Sequence, residues 1–368
     1  MRSGEIKLLA FGSNGNGQLS LGHGEDTHIP TACIMPESCP RSRPVKIVAG
    51  GNHTLVLYPC GTVLASGSNN HGQCGITPRT DAEKFTRFQT VPGPPELKDD
   101  DQGKITWANI SAGWDFSVFV SSKGRVYTCG LGTKGELGSG ALSTVSTSLR
   151  EIEIFRPTSR VTSVCSGMAH TLVVLENGEV YGWGAGRKGQ LGAPLQAVVP
   201  SPRRIELDFH AAAAVCGREF GFIISKDGSH HCVLGGDKYS ISASQPAQGE
   251  FEGWKSVQAS WGGVYVLLDN GTVRAWGRND KGQLPPAGLS NVEQVAIGSE
   301  HGVATIKDAG RDRAKAIAWG WGEHGNCGKR KDDRGGNVIG EIFEVPCAGG
   351  ERLSGVGAGC ATSWFLAE

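Results

Sequence analysis

Of the 368 residues, 56 are glycine, roughly twice the usual share, yet the glycines follow no three-residue period and the chain carries 12 Phe, 9 Trp and 5 Tyr. A collagen-like rod and a disordered chain are both excluded by that combination. Lys and Arg (36) balance Asp and Glu (36), so bulk charge argues against a nucleic-acid or membrane-surface protein.

The chain opens with Lys7-Leu8-Leu9-Ala10-Phe11, an apolar run too short for a signal-peptide core and suited to a strand. No later run approaches the roughly 18 apolar residues of a membrane helix. The eleven cysteines are scattered from Cys33 to Cys360 without a C-x-x-C pair, which predicts packing thiols in a reducing compartment, cytoplasm or nucleus, rather than disulfides or a zinc site.

Directly after that first strand stands a motif that recurs: aromatic-Gly, four residues, then Gly-Gln-Leu. It reads Phe11-Gly12 to Gly17-Gln18-Leu19, Trp183-Gly184 to Gly189-Gln190-Leu191 and Trp276-Gly277 to Gly282-Gln283-Leu284. Variants run over 67–75, 130–138 and 320–328, and a worn copy begins at Leu234-Gly235-Gly236. Between the copies lies a second motif, a Val-rich stretch followed by Gly-x-x-His/Phe-Thr/Ser. Its clearest forms are Gly50-Gly51-Asn52-His53-Thr54 and Gly167-Met168-Ala169-His170-Thr171; others centre on Gly113, Gly217, Ser260, Gly298 and Gly359. Turn dipeptides such as Asn177-Gly178, Asp227-Gly228 and Asn270-Gly271 follow and supply the positive φ of two-residue hairpins. In one unit the hairpin is longer, through 308–312.

The period is roughly 50 residues, within the range of propeller repeats. Short strands with no long amphipathic helix between them predict an all-β, seven-bladed β-propeller in one domain over 1–368. The chain ends on a second motif and begins with a first, so the N-terminal strand is expected to complete the last blade and close the ring. Three stretches read as insertions: 76–104, which holds Pro92-Gly93-Pro94-Pro95 and Asp99-Asp100-Asp101; 139–160; and 329–350, which opens with the mixed-charge run Lys329 to Arg334.

Positions that break the repeat are candidate contact residues. Trp321 stands where other copies carry Ser13, Ser68, Leu131, Ala185 and Arg278, with Glu323 and His324 close by. After the second-motif glycine come Gly51, Trp114, Met168, Arg218, Trp261, Ser299 and Cys360, then Asn52, Asp115, Ala169, Glu219, Gly262, Glu300 and Ala361. Two tryptophans and three acids on one rim would suit a partner of basic or mixed surface. His53, His170 and His301 share one repeat position, which predicts that each braces the ring by bonding a neighbouring backbone. In His230-His231-Cys232 alternate side chains point to opposite strand faces, which argues against a metal site. The sequence has no G-x-x-x-x-G-K-[ST], H-E-x-x-H or G-x-S-x-G, and its G-x-G fragments never open a helix, so an enzyme is not expected.

These repeats resemble the regulator of chromosome condensation (RCC) superfamily over nearly the whole chain. Within it, Phe11-Gly12-Ser13-Asn14-Gly15, Gly113-Trp114-Asp115, Gly298-Ser299-Glu300-His301-Gly302, 319–328 and 359–364 resemble the fungal alpha-tubulin suppressor or killer-toxin-insensitivity family. That resemblance implies a non-catalytic propeller without a cofactor or metal of its own, paired with a small CSL-type zinc-ribbon protein that binds iron and carries electrons. Through the pair, the family supports diphthamide formation on elongation factor two and Elongator-dependent modification of tRNA wobble uridines. No direct nucleic-acid or membrane contact is implied. The expected partner contacts are Trp114, Asp115, Glu300, His301, Trp321, Glu323 and His324. The alternative is an exchange factor or adaptor for a small GTPase, as some RCC-type propellers are.

Overall fold

The computed structural model describes residues 6–94, 106–140, 143–152, 160–307, 314–328, 336–346 and 352–368. Seven antiparallel sheets follow one another around a central channel. The innermost strands are Lys46–Ala49, Trp107–Ala112, Val161–Ser166, Ala211–Cys216, Trp254–Ala259, Val292–Ile297 and Leu353–Gly359, and blades one to seven are numbered by them here. No helix among the described residues is long and apolar enough to cross a membrane.

The seventh blade is composite. Its order outward is Leu353–Gly359, Thr362–Ala367, then the N-terminal strands Lys7–Gly12 and Thr27–Ala32. Six consecutive pairs run from Lys7 opposite Ala367 to Gly12 opposite Thr362, and Phe11 stacks on Phe365 with ring centroids 5.5 Å apart. Closure by the N-terminal strand is therefore as the repeat order predicts.

Second strands such as His53–Leu57, Phe116–Ser121 and His170–Leu175 are buried at every position. Each lies between two neighbouring blades, so both of its faces are apolar and its sequence is a continuous run rather than an alternation. The core is accordingly a chain of inter-blade clusters. One packs Leu55, Leu57, Val63 and Cys74 of blade one against Trp107, Ile110, Phe119 and Tyr127 of blade two. Each such fully buried large side chain contributes about 1.5–3 kcal/mol.

Outer strands have one neighbour and face solvent, and this corrects the reading of the insertions. Lys84–Thr90, Val145–Glu151 and Val338–Glu344 lie inside 76–104, 139–160 and 329–350 and are the fourth strands of blades one, two and six. Their polar, mostly exposed sequences resemble loops because only one edge and part of one face are covered. Pro95, Asp99 to Asp101, the Lys329 to Arg334 run and the 308–312 hairpin lie outside the described residues.

Blades four and five have three strands. In blade four the outer edge of His231–Gly235 is met by one side chain: Gln248 Oε1 accepts from the His231 N–H at 2.9 Å and Gln248 Nε2 donates to the His231 carbonyl at 3.0 Å.

Both repeated motifs are structural devices. In the first, the Gln carboxamide accepts from the backbone N–H two residues earlier, at 2.9 Å for Gln18, Gln73, Gln190 and Gln283, and so stiffens the loop. The aromatic of the next blade ties in: Trp183 Nε1 donates to the Glu136 carbonyl and Trp319 Nε1 to that of Gln283. In the second motif, a Cβ on Gly50, Gly167 or Gly298 would stand 2.1, 2.2 or 2.4 Å from the carbonyl oxygen of the glycine in the following blade. The ring three residues on, His53, Phe116, His170, Phe220 or His301, tucks beneath its own glycine and leaves no room for a methyl group.

The histidine brace differs in part from expectation. His53 Nε2 lies 2.8 Å from Ser117 Oγ in the next blade, and Ser117 Oγ donates to the Gln73 carbonyl. The same relay runs from His301 through Ser363 to the Asn326 carbonyl. Because the serine donates onward, it accepts from the imidazole, which fixes the neutral Nε2–H form. A hydroxyl of the next blade thus stands between histidine and backbone. After His170 the corresponding position is Gly221, and no relay forms.

Burial lowers His53, His170 and His301 from 6.5 to about 4. Since the folded state resists protonation, the stability they contribute is complete above the unfolded value and is lost as pH falls from about 6.5 to about 4. Chemical denaturation across that window should show stability falling with pH. His53→Gln, which keeps a donor without a titration, should flatten the slope; an unchanged slope in a folded variant rejects this account.

Candidate functional site at the hub face

In every blade the turn after the innermost strand and the loop after the third strand emerge on the same face, because both follow strands running in one direction. This places Trp114, Asp115, Glu300, Trp321, Glu323 and His324 on one face. His301 is the exception: it is 0 % exposed and committed to the Ser363 relay, so it is a brace and not a surface contact.

Around the hub the inner turns are joined by backbone hydrogen bonds from blade to blade. The N–H of Gly51 donates to Trp114, Trp114 to Met168, Arg218 to Trp261, Trp261 to Ser299, and Ser299 to Gly359. These bonds tie five of the seven junctions and set the height of the side chains those turns carry. Two of those are tryptophans from blades two and five: Trp114 and Trp261 meet over the channel mouth with ring centroids 5.5 Å apart, and Arg218 lies over Trp261 at 5.5 Å.

From there the surface continues outward. Tyr239 packs against Gly262, where a Cβ would meet its ring at 2.9 Å. The Tyr239 backbone is left-handed at φ 69°, an uncommon state for an aromatic residue, and the ring is 39 % exposed. Arg278 stacks on that ring at 5.1 Å. Its guanidinium forks between Asp280, by Nε and Nη2, and Glu300, whose Oε1 it reaches at 2.5 Å. Gln283 Nε2 donates to the other Glu300 oxygen at 2.7 Å. The Arg278 hydrogen bond holds the Asp280 carboxyl down to about 2. Glu300 has both oxygens occupied, so it serves as a clamp for Arg278.

The Glu300 carbonyl accepts from the Trp321 N–H at 2.9 Å, which joins this cluster to the next loop. Trp321 is half-buried and meets His324 edge-on at 5.3 Å, and His324 Nδ1 lies 2.7 Å from Asp26 Oδ2 across the closing junction. Glu323 is exposed beside them. Asp115, half-buried next to Trp114, has its carboxyl raised by burial, partly offset by His71.

Six of the seven expected contacts therefore belong to one continuous strip, from Trp114 across the hub to His324. Its missing links are Arg218, Tyr239, Trp261, Arg278 and Asp26. The repeat comparison exposed Arg218, Trp261 and Arg278 as variable positions but not their mutual contact. Tyr239 sat in the worn copy, where no register was available. Half-exposed Trp, Tyr and Arg held rigidly among acids are the residue types that dominate protein–protein binding energy. Among the described residues no three His, Cys, Asp or Glu side chains converge as a metal centre needs. His230 instead stacks on Phe209, while His231 packs on Phe251 with Nε2 3.1 Å from the Pro246 carbonyl.

Comparison with known proteins agrees with this architecture. The family model described as RCC1-like domain matches residues 7–365. An RCC1 repeat-containing protein of Schizosaccharomyces pombe is 33 % identical, over 98 % of this chain and 99 % of its own. The secretion-regulating guanine nucleotide exchange factor of Mus musculus is 28 % identical, over 87 % of this chain and 75 % of its own. Among solved structures, Prp20p of Saccharomyces cerevisiae superposes with a TM-score of 0.81 at 17 % identity, covering 99 % of this chain and 91 % of that one. Human WBSCR16 gives 0.77 at 16 %, covering 99 % of both. At that identity the likeness is one of fold.

Removing the clamp cation should loosen the strip. Arg278→Ala is expected to cost about 1–2 kcal/mol in chemical denaturation, the value of partly exposed charge-assisted bonds. Arg278→Lys should not recover it, because an ammonium cannot fork to two carboxylates while stacking on Tyr239. Full recovery by lysine is the result that rejects the fork.

Proposed function

The chain belongs to the RCC1-like domain family, and from that premise we propose that it is a non-catalytic docking platform whose hub face receives a partner protein. The observation carrying this reading is the unbroken contact strip from Trp114 through Trp261, Tyr239 and Arg278 to Trp321 and His324. Its aromatic surface offers apolar area, and its fixed charges supply orientation.

The finer assignment rests on the sequence resemblance to the fungal alpha-tubulin suppressor family. The partner is then a small CSL-type zinc-ribbon, iron-binding electron carrier, and the pair serves diphthamide synthesis on elongation factor two and Elongator-dependent wobble-uridine modification. The propeller orients the carrier and limits its access to other acceptors, in the cytoplasm and in a nuclear pool alike. Neither a cofactor of its own nor direct contact with nucleic acid or membrane is part of this function.

A second reading has specific support. The mouse relative is named a guanine nucleotide exchange factor, and the Prp20p structure is described with binding to Gsp1p and histones. On that reading the hub face would engage a small GTPase and loosen its nucleotide.

Two measurements separate the readings. Purified chain should retain the zinc-ribbon protein, and the pair of changes Trp321→Ala with Glu323→Ala should weaken retention at least tenfold, about 1.4 kcal/mol or more. Undiminished binding by a folded double variant rejects this strip as the contact. Nucleotide release from a panel of small GTPases should be unaffected by the chain; strong acceleration selects the exchange reading instead.

A further inference from the structure

The channel through the hub encloses about 540 Å³ and is walled by the seven innermost strands. Most of that wall is backbone, glycine, alanine and valine, but three chemically reactive side chains stand together on it. Cys165, on the innermost strand of blade three, has its Sγ 3.2 Å from Cys216 Sγ on the innermost strand of blade four. The Cys216 thiol also reaches the Cys165 carbonyl at 3.5 Å, so the pair is held face to face. From blade one, Lys46 crosses to the same place: its Nζ donates to Asn109 Oδ1 at 2.8 Å and to the carbonyl of Val164, the residue before Cys165, at 3.2 Å.

We propose that Cys165 and Cys216 are a hydroperoxide-reactive dithiol site in the hub channel, closing to a reversible disulfide between blades three and four. The two sulfurs need to approach by about an ångström to reach the bonded distance of about 2.05 Å. They lie on strands of two separate sheets that are not hydrogen-bonded to each other, so the approach breaks no strand pair.

The chemistry balances with one small hydroperoxide. Cys165, next to the Val164 carbonyl that holds the Lys46 ammonium, gives up its proton and its sulfur attacks the terminal oxygen of ROOH. The O–O bond breaks, the OH stays on sulfur so that Cys165 becomes a sulfenic acid, and the leaving alkoxide takes up the proton the thiol released and departs as ROH. The Cys216 sulfur then attacks the Cys165 sulfur, the S–O bond breaks, and water leaves. Two thiols lose two hydrogens while the hydroperoxide is reduced to an alcohol and water.

The position of Lys46, on the carbonyl of the residue before Cys165, assigns the first role to Cys165. Burial lowers Lys46 to about 8, so it stays mainly charged at neutral pH, and the nearby Cys165 sulfur acts in the opposite sense to keep its proton. Burial pushes the Cys216 thiol up, which suits a resolving thiol that acts second. Cys60, by contrast, is exposed on the surface and serves as the built-in competitor.

The test treats the full chain with hydrogen peroxide near equivalence and follows intact mass and peptide mapping. Expected are the loss of two hydrogens, a Cys165–Cys216 linked peptide, and its disappearance on adding a thiol reductant. Cys165→Ser should abolish the linkage, and Cys216→Ser should leave a sulfenic acid at Cys165 that a dimedone probe traps. Lys46→Met should slow linkage roughly tenfold, with circular dichroism showing each variant folded. Oxidation that adds oxygen at Cys60 and leaves Cys165 and Cys216 as thiols overturns the proposal. So does a linkage rate unchanged in folded Lys46→Met.

Discussion

No blade of this protein can exist by itself. A three- or four-stranded sheet whose second strand is apolar on both faces must be covered on both sides, and here the cover is the next blade. Every cluster of the core consequently spans a junction, and the ring has to close for the first and last faces to be covered at all. Closure comes from Lys7–Gly12 pairing with Thr362–Ala367. The glycines at the inner turns belong to the same constraint, because the turns converge until one blade's glycine Cα nearly touches the next blade's carbonyl.

That requirement explains what could be read from the amino-acid order and what could not. The number of blades, their boundaries and the composite last blade were visible, since each blade repeats the same solution to the same packing problem. The outer strands were not. Lys84–Thr90 and Val145–Glu151 cover little and are covered little, so nothing forces an apolar pattern on them. The three-strand edge of blade four was equally hidden, because Gln248 does with one carboxamide what other blades do with a strand.

The hub strip shows the same boundary for function. Comparing repeat copies singled out Trp114, Asp115, Glu300, Trp321, Glu323 and His324, each an unusual residue at a familiar place. What it could not supply was adjacency across the ring. Trp114 and Trp261 belong to blades that are far apart in sequence and meet only across the hub of the closed ring. Arg278 reads as surface until Tyr239, in a backbone state a repeat pattern does not encode, places a ring beneath it. His301 shows the reverse: an unusual-looking candidate at a familiar place, it is bonded to Ser363 of the following blade and kept inside.

The composite last blade also has a temporal side. Residues 7–12 leave the ribosome well before their partner Thr362–Ala367, which follows hundreds of residues later, after tens of seconds of synthesis at ordinary elongation rates. During that interval the strand Leu8-Leu9-Ala10-Phe11 can pair with Thr27–Ala32 on its outer side, while its inner edge has no native partner. A premature stop in the final blade would leave that inner edge, and the apolar faces it helps to cover, open for good.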